Sequence, residues 1–276
     1  MPHHSGNRQS AAPGMNEQQS RQTPPDLNVT LFVTCLADLF RPAVAFATIK
    51  LLEQAGCNVD VPLQQTCCGQ PAYNSGDYSA AIPLAKQMIA LLEPADYVVA
   101  PSGSCVGMIC HHYPQLLTGT WRQRALKVAA KTFELTTFLH EIAQPSKHPD
   151  DERPSLPAVA YHDSCAGLRE LGIRKQPRAL LQDMCGVEVK ELAQSEVCCG
   201  FGGTFCAKMP KISAKMADDK LHDVATTGAR ILTGGDLGCL LSIAGRAERL
   251  GQNIEVRHVA ELLSGNLEEP PIGKGN

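Results

Sequence analysis

The chain has no excess of charge of either sign. Its 25 Lys and Arg face 28 Asp and Glu, a formal net charge of −3, so the basic footprint of a nucleic-acid binder is missing. Aromatic residues are scarce, at seven Phe, five Tyr and one Trp in 276 residues, too few to stack successive bases. No stretch approaches the roughly 18 apolar residues of a membrane-crossing helix. The N-terminal MPHHSGNRQSAAPGMNEQQSRQTPPD holds no apolar run of the kind a secretory leader needs, which sets the expectation of a cytoplasmic protein. Nucleotide and hydrolase signatures are missing too: there is no G-x-x-x-x-G-K-[ST], H-E-x-x-H or G-x-S-x-G. Gly200, Gly202 and Gly203 are not a dinucleotide fingerprint, because Phe205 stands where its last glycine belongs.

What the chain has in plenty is cysteine, twelve of them. Disulfides belong mostly to oxidising compartments and small domains, and this chain shows neither a leader nor a small size. In such a protein cysteines are read as metal ligands or reactive thiols. Their spacing repeats. The first half carries Cys35, then Cys67-Cys68-Gly69, then Cys105. The second carries Cys165, then Cys198-Cys199-Gly200, then Cys239, with intervals that match those of the first almost residue for residue. Equivalent cysteines are thus offset by a nearly constant length, close to half the chain, and VTLFVTC (29–35) matches AVAYHDSC (158–165). One Cys-Cys-Gly arises easily by chance. Two, each flanked by cysteines at matching distances, indicate an internal duplication.

The pattern predicts an α/β fold of two pseudo-symmetric open parallel-sheet domains. The expected division is a disordered tail over 1–27, a first domain over 28–143, a linker over 144–157, a second domain over 158–264, and a tail over 265–276. Near-continuous apolar runs read as strands buried on both faces: Val29–Thr34, Val59–Leu63, Tyr97–Ala100 and a segment within Lys127–Leu135, then Val159–Tyr161, Val187–Leu192, Ile231–Thr233 and Ile254–Val256. Amphipathic helices alternate with them, one running from Pro42 to Gly56 and another capped by Ser79 with Pro83 in its first turn. Strands alternating with helices imply parallel βαβ units.

Cys35, Cys67-Cys68 and Cys105 each fall just after an expected strand, as do Cys165, Cys198-Cys199 and Cys239. In an open α/β sheet such positions share the carboxyl edge, where ligands bind. Residues far apart in sequence can therefore meet. Adjacent cysteines need a turn to face one site, and the glycine that follows can supply the positive φ. Four thiolates per half suit a [4Fe–4S] cluster or a structural zinc ion.

The segments TCLADLFRPAVAFATIKLLEQAGC (34–57), CCGQPAYNSGD (67–77), PSGSCVGMI (101–109), YHDSCAGLRELGI (161–173), CCGFGGTF (198–205) and DLGCLLSIAGR (236–246) resemble the duplicated cysteine-rich CCG-domain family. That family includes the cysteine-rich component of heterodisulfide reductase and the iron–sulfur subunit of glycolate oxidase. Within it the sequence is most similar to the lactate-utilisation protein A group, over residues 28–264. The resemblance implies an iron–sulfur electron-transfer subunit of a cytosolic complex that oxidises L-lactate to pyruvate. Companions would be a ferredoxin-like iron–sulfur subunit and a third lactate-utilisation subunit. It also implies one or two [4Fe–4S] clusters, with zinc an option in one site, held by Cys35, Cys67, Cys68, Cys105, Cys165, Cys198, Cys199 and Cys239. The alternatives are another oxidoreductase subunit of the family, for glycolate, a different 2-hydroxy acid or a disulfide, and a zinc-stabilised scaffold.

One departure stands out. The wider family closes each motif with Cys-x-x-Cys, whereas Ser102 and Asp236 replace the first of those cysteines here. Asp236 reads as a helix cap, with an oxygen ligand as the alternative. Cys57, Cys185, Cys110 and Cys206 read as structural, Cys206 keeping some chance of reaching the second site. His162 and Asp163 read as strand-end residues that could support the site from behind. His111 and His112 read as helix-surface residues, and Arg169 as either a charge near the site or a solvated helix start.

Overall fold

The computed structural model describes residues 27–145 and 156–274; the expected N-terminal tail up to residue 26 and most of the expected linker lie outside the described residues, while Leu27, expected in that tail, opens the first strand. Two four-stranded sheets, each wholly parallel, form the frame. The first contains β1 (Leu27–Leu31), β2 (Cys57–Asp60), β3 (Tyr97–Ala100) and β4 (Thr132–Glu134), ordered β2-β1-β3-β4. The second contains β5 (Val159–His162), β6 (Val189–Lys190), β7 (Ile231–Gly234) and β8 (Glu255–His258), ordered β6-β5-β7-β8. The same order in both halves bears out the duplicated α/β reading. In each sheet the order reverses beside the first strand. The chains leaving the two central strands therefore diverge, and a crevice opens at their carboxyl ends.

Strand positions deviate from the sequence reading where local context overrides apolar character. β2 begins at Cys57, paired in register with Leu27, so Cys57 is part of the strand rather than ahead of it. The fourth strand, Thr132–Glu134, falls within the expected Lys127–Leu135 segment, whose first residues belong to helix Gly119–Ala129. The helix capped by Ser79 on paper is capped by Asp77, whose Oδ1 accepts from the Ala80 backbone N–H at 3.1 Å. Ser79 instead donates to that carboxylate. Starting earlier, helix Tyr78–Leu92 carries Pro83 in its interior rather than its first turn, where the ring removes one backbone hydrogen bond.

The two halves do not pack as separate bodies. Helix Pro42–Gln54 of the first half lies against helix Val259–Ser264 of the second, and helix Lys175–Cys185 lies against residues 135–143 of the first. One continuous core joins Leu51, Leu52 and Phe138 to Leu181, Val259 and Leu262. A buried ion pair crosses the same seam: Arg41 donates from Nε and Nη2 to Glu261 Oε1 at 3.0 and 2.6 Å. At a second crossing, helices Gly103–Gly107 and Cys165–Leu171 approach so closely that a Cβ on Gly103 would lie 2.8 Å from the Gly167 Cα. The chain after Gly265, expected as a tail, returns to this frame as well. Ile272 is buried and its N–H donates to the Val256 carbonyl at 2.8 Å.

Candidate metal centre

The crevices of the two sheets open toward each other into one cavity of about 480 Å³, lined by Cys35, Cys67, Cys68 and Cys105 from the first half and by Cys165 and Cys239 from the second. Cys198 and Cys199 do not line it but contact Cys165 and Cys239, which do. Each half builds its four cysteines in the same way. Cys35 and Cys165 open the helices that follow β1 and β5. Cys105 and Cys239 lie in the first turn of the helices that follow β3 and β7. A thiolate in a first helical turn is favoured by the free N–H groups and the positive end of the helix dipole.

The Cys-Cys pairs come from the turns between strand and helix. Gly69 and Gly200 adopt φ of 84° and 85°, a conformation open mainly to glycine. Their N–H groups fold back onto Cys67 Sγ and Cys198 Sγ, each at 3.4 Å. A side chain at Gly200 would meet the Ser213 carbonyl at 2.8 Å, so this glycine also lets the turn sit against the next helix. The turn aims both sulfurs inward. Cys68 Sγ lies 3.5 Å from Cys105 Sγ, Cys35 is within hydrogen-bond reach of Cys67, and Cys165–Cys198–Cys199–Cys239 form the equivalent chain.

Such crowding splits the acidities. Cys67 receives hydrogen bonds from Cys35, Cys68 and the Gly69 N–H, which hold it down to about 3. Cys198, bonded by Cys165, Cys199 and the Gly200 N–H, falls to about 2. Cys35, Cys165 and Cys199 are pushed up chiefly by their hydrogen bonds to Cys67 or Cys198, and Cys68 by its hydrogen bonds to Cys105 and Cys67. One thiolate per half is therefore stable without a cation. Ionising Cys35, Cys68, Cys165 and Cys199 as well requires positive charge among them, which is what a metal group brings. The donor set, four sulfurs converging per half, fits soft-metal ligation.

The remaining cysteines fall outside the cavity. Cys57 is buried in the shared core and Cys185 packs beside it. Cys110 is buried enough to be pushed up to about 12. Cys206 bonds the Gly203 carbonyl at 3.1 Å and does not line the cavity.

Asp236 has a role that the sequence reading missed. It does not cap its own helix. Its carboxylate accepts instead from Ser102 Oγ at 2.8 Å, Ser104 Oγ at 2.7 Å and the Ser104 N–H at 3.2 Å. It therefore caps the cysteine-bearing helix of the opposite half, and Ser102 in turn accepts from Cys105 N–H. Both residues that replace the family cysteine are engaged in joining the two sites. His111 and His112, expected on a helix surface, are exposed and partly buried respectively, and both reach a partner. His112 Nε2 lies 3.3 Å from a Glu170 carboxylate oxygen, and His111 Nε2 contacts the Glu170 carbonyl at 3.0 Å, both across the seam. Arg169 donates to the Glu196 carbonyl.

The halves differ behind the cysteines. Phe32 precedes Cys35 by the same interval as His162 precedes Cys165. Gly69 rests on Leu84 and Gly200 on Met216, so four residues further along these helices Met88 matches Lys220. The first site is thus backed by Phe32 and Met88, the second by His162 and Lys220. Lys220 is buried and donates to the Gln194 carbonyl at 2.7 Å. His162 is 1% exposed. Neither of its ring nitrogens has a hydrogen-bond partner. Burial holds it down to about 4, so the ring is neutral at pH 7. Aligning the repeats exposes both exchanges, and that comparison was the available signal in the sequence.

Fold and site together define a duplicated cysteine-rich protein with two facing thiol quartets. The Cysteine-rich domain (CCG) family matches residues 29–110 and 159–244. Lactate utilization protein A of Bacillus cereus (strain B4264) is 47% identical over 241 residues, covering 86% of this chain and 99% of that protein. Lactate utilization protein A 2 of Bacillus mycoides (strain KBAB4) is similar to the same extent. The chain belongs to the CCG cysteine-rich family and, within it, to the lactate utilization protein A group.

Proposed function

We propose that the chain is the iron–sulfur electron-transfer subunit of a cytoplasmic complex that oxidises L-lactate to pyruvate. Its companions would be a ferredoxin-like iron–sulfur subunit and a third lactate-utilisation subunit. The observation that carries this reading is the pair of matching cysteine quartets, six of whose eight members line one cavity. The relatives named for lactate utilisation supply the substrate class. Cys35, Cys67, Cys68 and Cys105 would hold one [4Fe–4S] cluster, and Cys165, Cys198, Cys199 and Cys239 a second such cluster or a zinc ion. A cluster supplies reversible one-electron capacity. The chain's residues fix its place. The glycine turns aim the paired sulfurs, the helix N-termini favour thiolates, and Asp236 with Ser102 holds the two quartets in a set relation. Among the described residues no helix is long and apolar enough to cross a membrane.

The test is anaerobic purification followed by iron, sulfide and zinc analysis of the wild type, Cys67→Ala and Cys198→Ala. Iron and sulfide in the wild type, reduced in each variant, support the reading. So does loss of lactate-dependent growth in cells that rely on the complex. Zinc without sulfide in the wild type would overturn electron transfer in favour of a scaffold. Unimpaired growth on lactate with a cluster-free variant would remove the lactate assignment.

A further inference from the structure

We propose that His162 is a nitrogen ligand to the metal held by the second quartet, which makes that site mixed nitrogen–sulfur while the first is all-sulfur. The inference rests on the reading that the quartets hold metal, and goes beyond it in assigning a ligand outside the eight cysteines.

Three independent observations converge on His162. The first is position. One ring nitrogen of His162 and the sulfurs of Cys199 and Cys239 all lie within 4.8 Å of one another, and all three residues are buried. For a tetrahedral ion with bonds of about 2.0–2.3 Å, neighbouring donors sit roughly 3.5–3.8 Å apart. A small inward movement of three side chains therefore closes the triangle around one metal atom.

The second is an unmet requirement. A buried polar side chain is nearly always hydrogen-bonded, and leaving it unpaired is destabilising. His162 is unpaired at both ring nitrogens. A metal at one of them removes that deficit, and a neutral imidazole is the form that ligates.

The third is the repeat. Phe32 occupies the matching place in the first half and carries no donor atom. Packing behind a sulfur quartet is therefore satisfied by an apolar ring, and the shared architecture does not require a histidine there. The second half presents five donors to the first half's four. A tetrahedral ion and a four-iron cluster each take four donors, so His162 would stand in for one thiolate of the second quartet. Replacing thiolate by imidazole raises the potential of an iron–sulfur centre, so the second site would be the easier of the two to reduce. Lys220, buried behind the same site, adds positive charge in the same direction.

The experiment uses the full-length protein, purified anaerobically with its own metal and carrying 15N-histidine. Pulsed electron paramagnetic resonance of the reduced protein is expected to show one strongly coupled, directly bonded nitrogen. The coupling should vanish in His162→Phe, which copies the first half, and persist in His112→Phe, the variant at the histidine on the cavity wall. If zinc fills the second site, absorption at the zinc edge should report nitrogen among the ligands. Metal bound at both sites with sulfur-only ligation, or a coupling that survives His162→Phe, overturns the assignment while leaving the quartets as metal sites. So does the weak coupling of a ring that only hydrogen-bonds to a sulfur. Absence of both iron and zinc from the wild type overturns the metal reading and this inference with it. The wild-type and His112→Phe spectra decide the matter even if His162→Phe does not fold.

Discussion

Removing the guanidinium from the seam between the halves tests whether they are one cooperative unit. Arg41 is 8% and Glu261 0% exposed, and Arg41 makes two hydrogen bonds to a single carboxylate oxygen. The other oxygen accepts the His258 N–H at 2.9 Å and completes a capping box on helix Val259–Ser264. Arg41→Met therefore leaves an uncompensated carboxylate in the core while retaining most of the apolar stem. Breaking a buried pair from one side costs about 3–5 kcal/mol, whereas replacing both partners by apolar or neutral groups is often near neutral. For a chain of this size that is a fall in Tm of roughly 6–20 °C. Glu261→Gln keeps the oxygen that the His258 N–H needs, so the double variant Arg41→Met/Glu261→Gln should recover at least half of the loss. Urea denaturation of the metal-loaded protein, followed by far-ultraviolet circular dichroism, measures all three variants against wild type. Costs that simply add, or a loss below about 1 kcal/mol for Arg41→Met, would refute the view that this pair is desolvated and joins the halves. A transition in two separate steps would refute the shared core itself.

Other consequences can be measured on the same protein. Gly103→Ala places a methyl 2.8 Å from the Gly167 Cα, so overpacking of about 1–3 kcal/mol is expected; metal content should fall in both halves, because each crossing helix carries a cysteine, and unchanged stability would contradict the close crossing. His258 is fully buried, and burial holds it down to about 4. Its folded form binds fewer protons than the unfolded chain between pH 6.5 and about 4, so it contributes stability above 6.5 that is lost as pH falls through that window. The loss is of order 3 kcal/mol, and His258→Asn should flatten that part of a stability–pH curve. Glu134 behaves oppositely: burial raises it to about 7, so its contribution is complete below about pH 4.5 and is lost as pH rises toward 7, a slope that Glu134→Gln should remove. Cys57→Ala and Cys185→Ala should keep full metal content and cost about 1 kcal/mol each; metal loss equal to that of Cys67→Ala would show that the division of the cysteines by repeat position is wrong.

The α/β class, the duplication and the grouping of eight cysteines into two quartets were legible in the sequence because each depends on local pattern. Buried parallel strands read as apolar runs whatever surrounds them, and the Cys-Cys-Gly turns need their glycine for backbone reasons alone. Strand edges were less legible. Whether Cys57 lies before β2 or within it depends on its pairing with Leu27, a contact between distant segments. Pro83 sat in a first turn only while Ser79 was taken as the cap; Asp77 wins because its carboxylate reaches the Ala80 N–H. Other features belonged to tertiary structure alone. Asp236 caps a helix in the other half, Arg41 pairs with Glu261 across the whole chain, and cysteines of both quartets line one cavity, because the first long helix of each half packs on the last helix of the other. Sequence spacing determines which side chains stand at a sheet edge. Only the packing of one half on the other, driven by apolar surface that neither sheet can bury by itself, decided that the two edges meet and that His162 stands unpaired behind one of them.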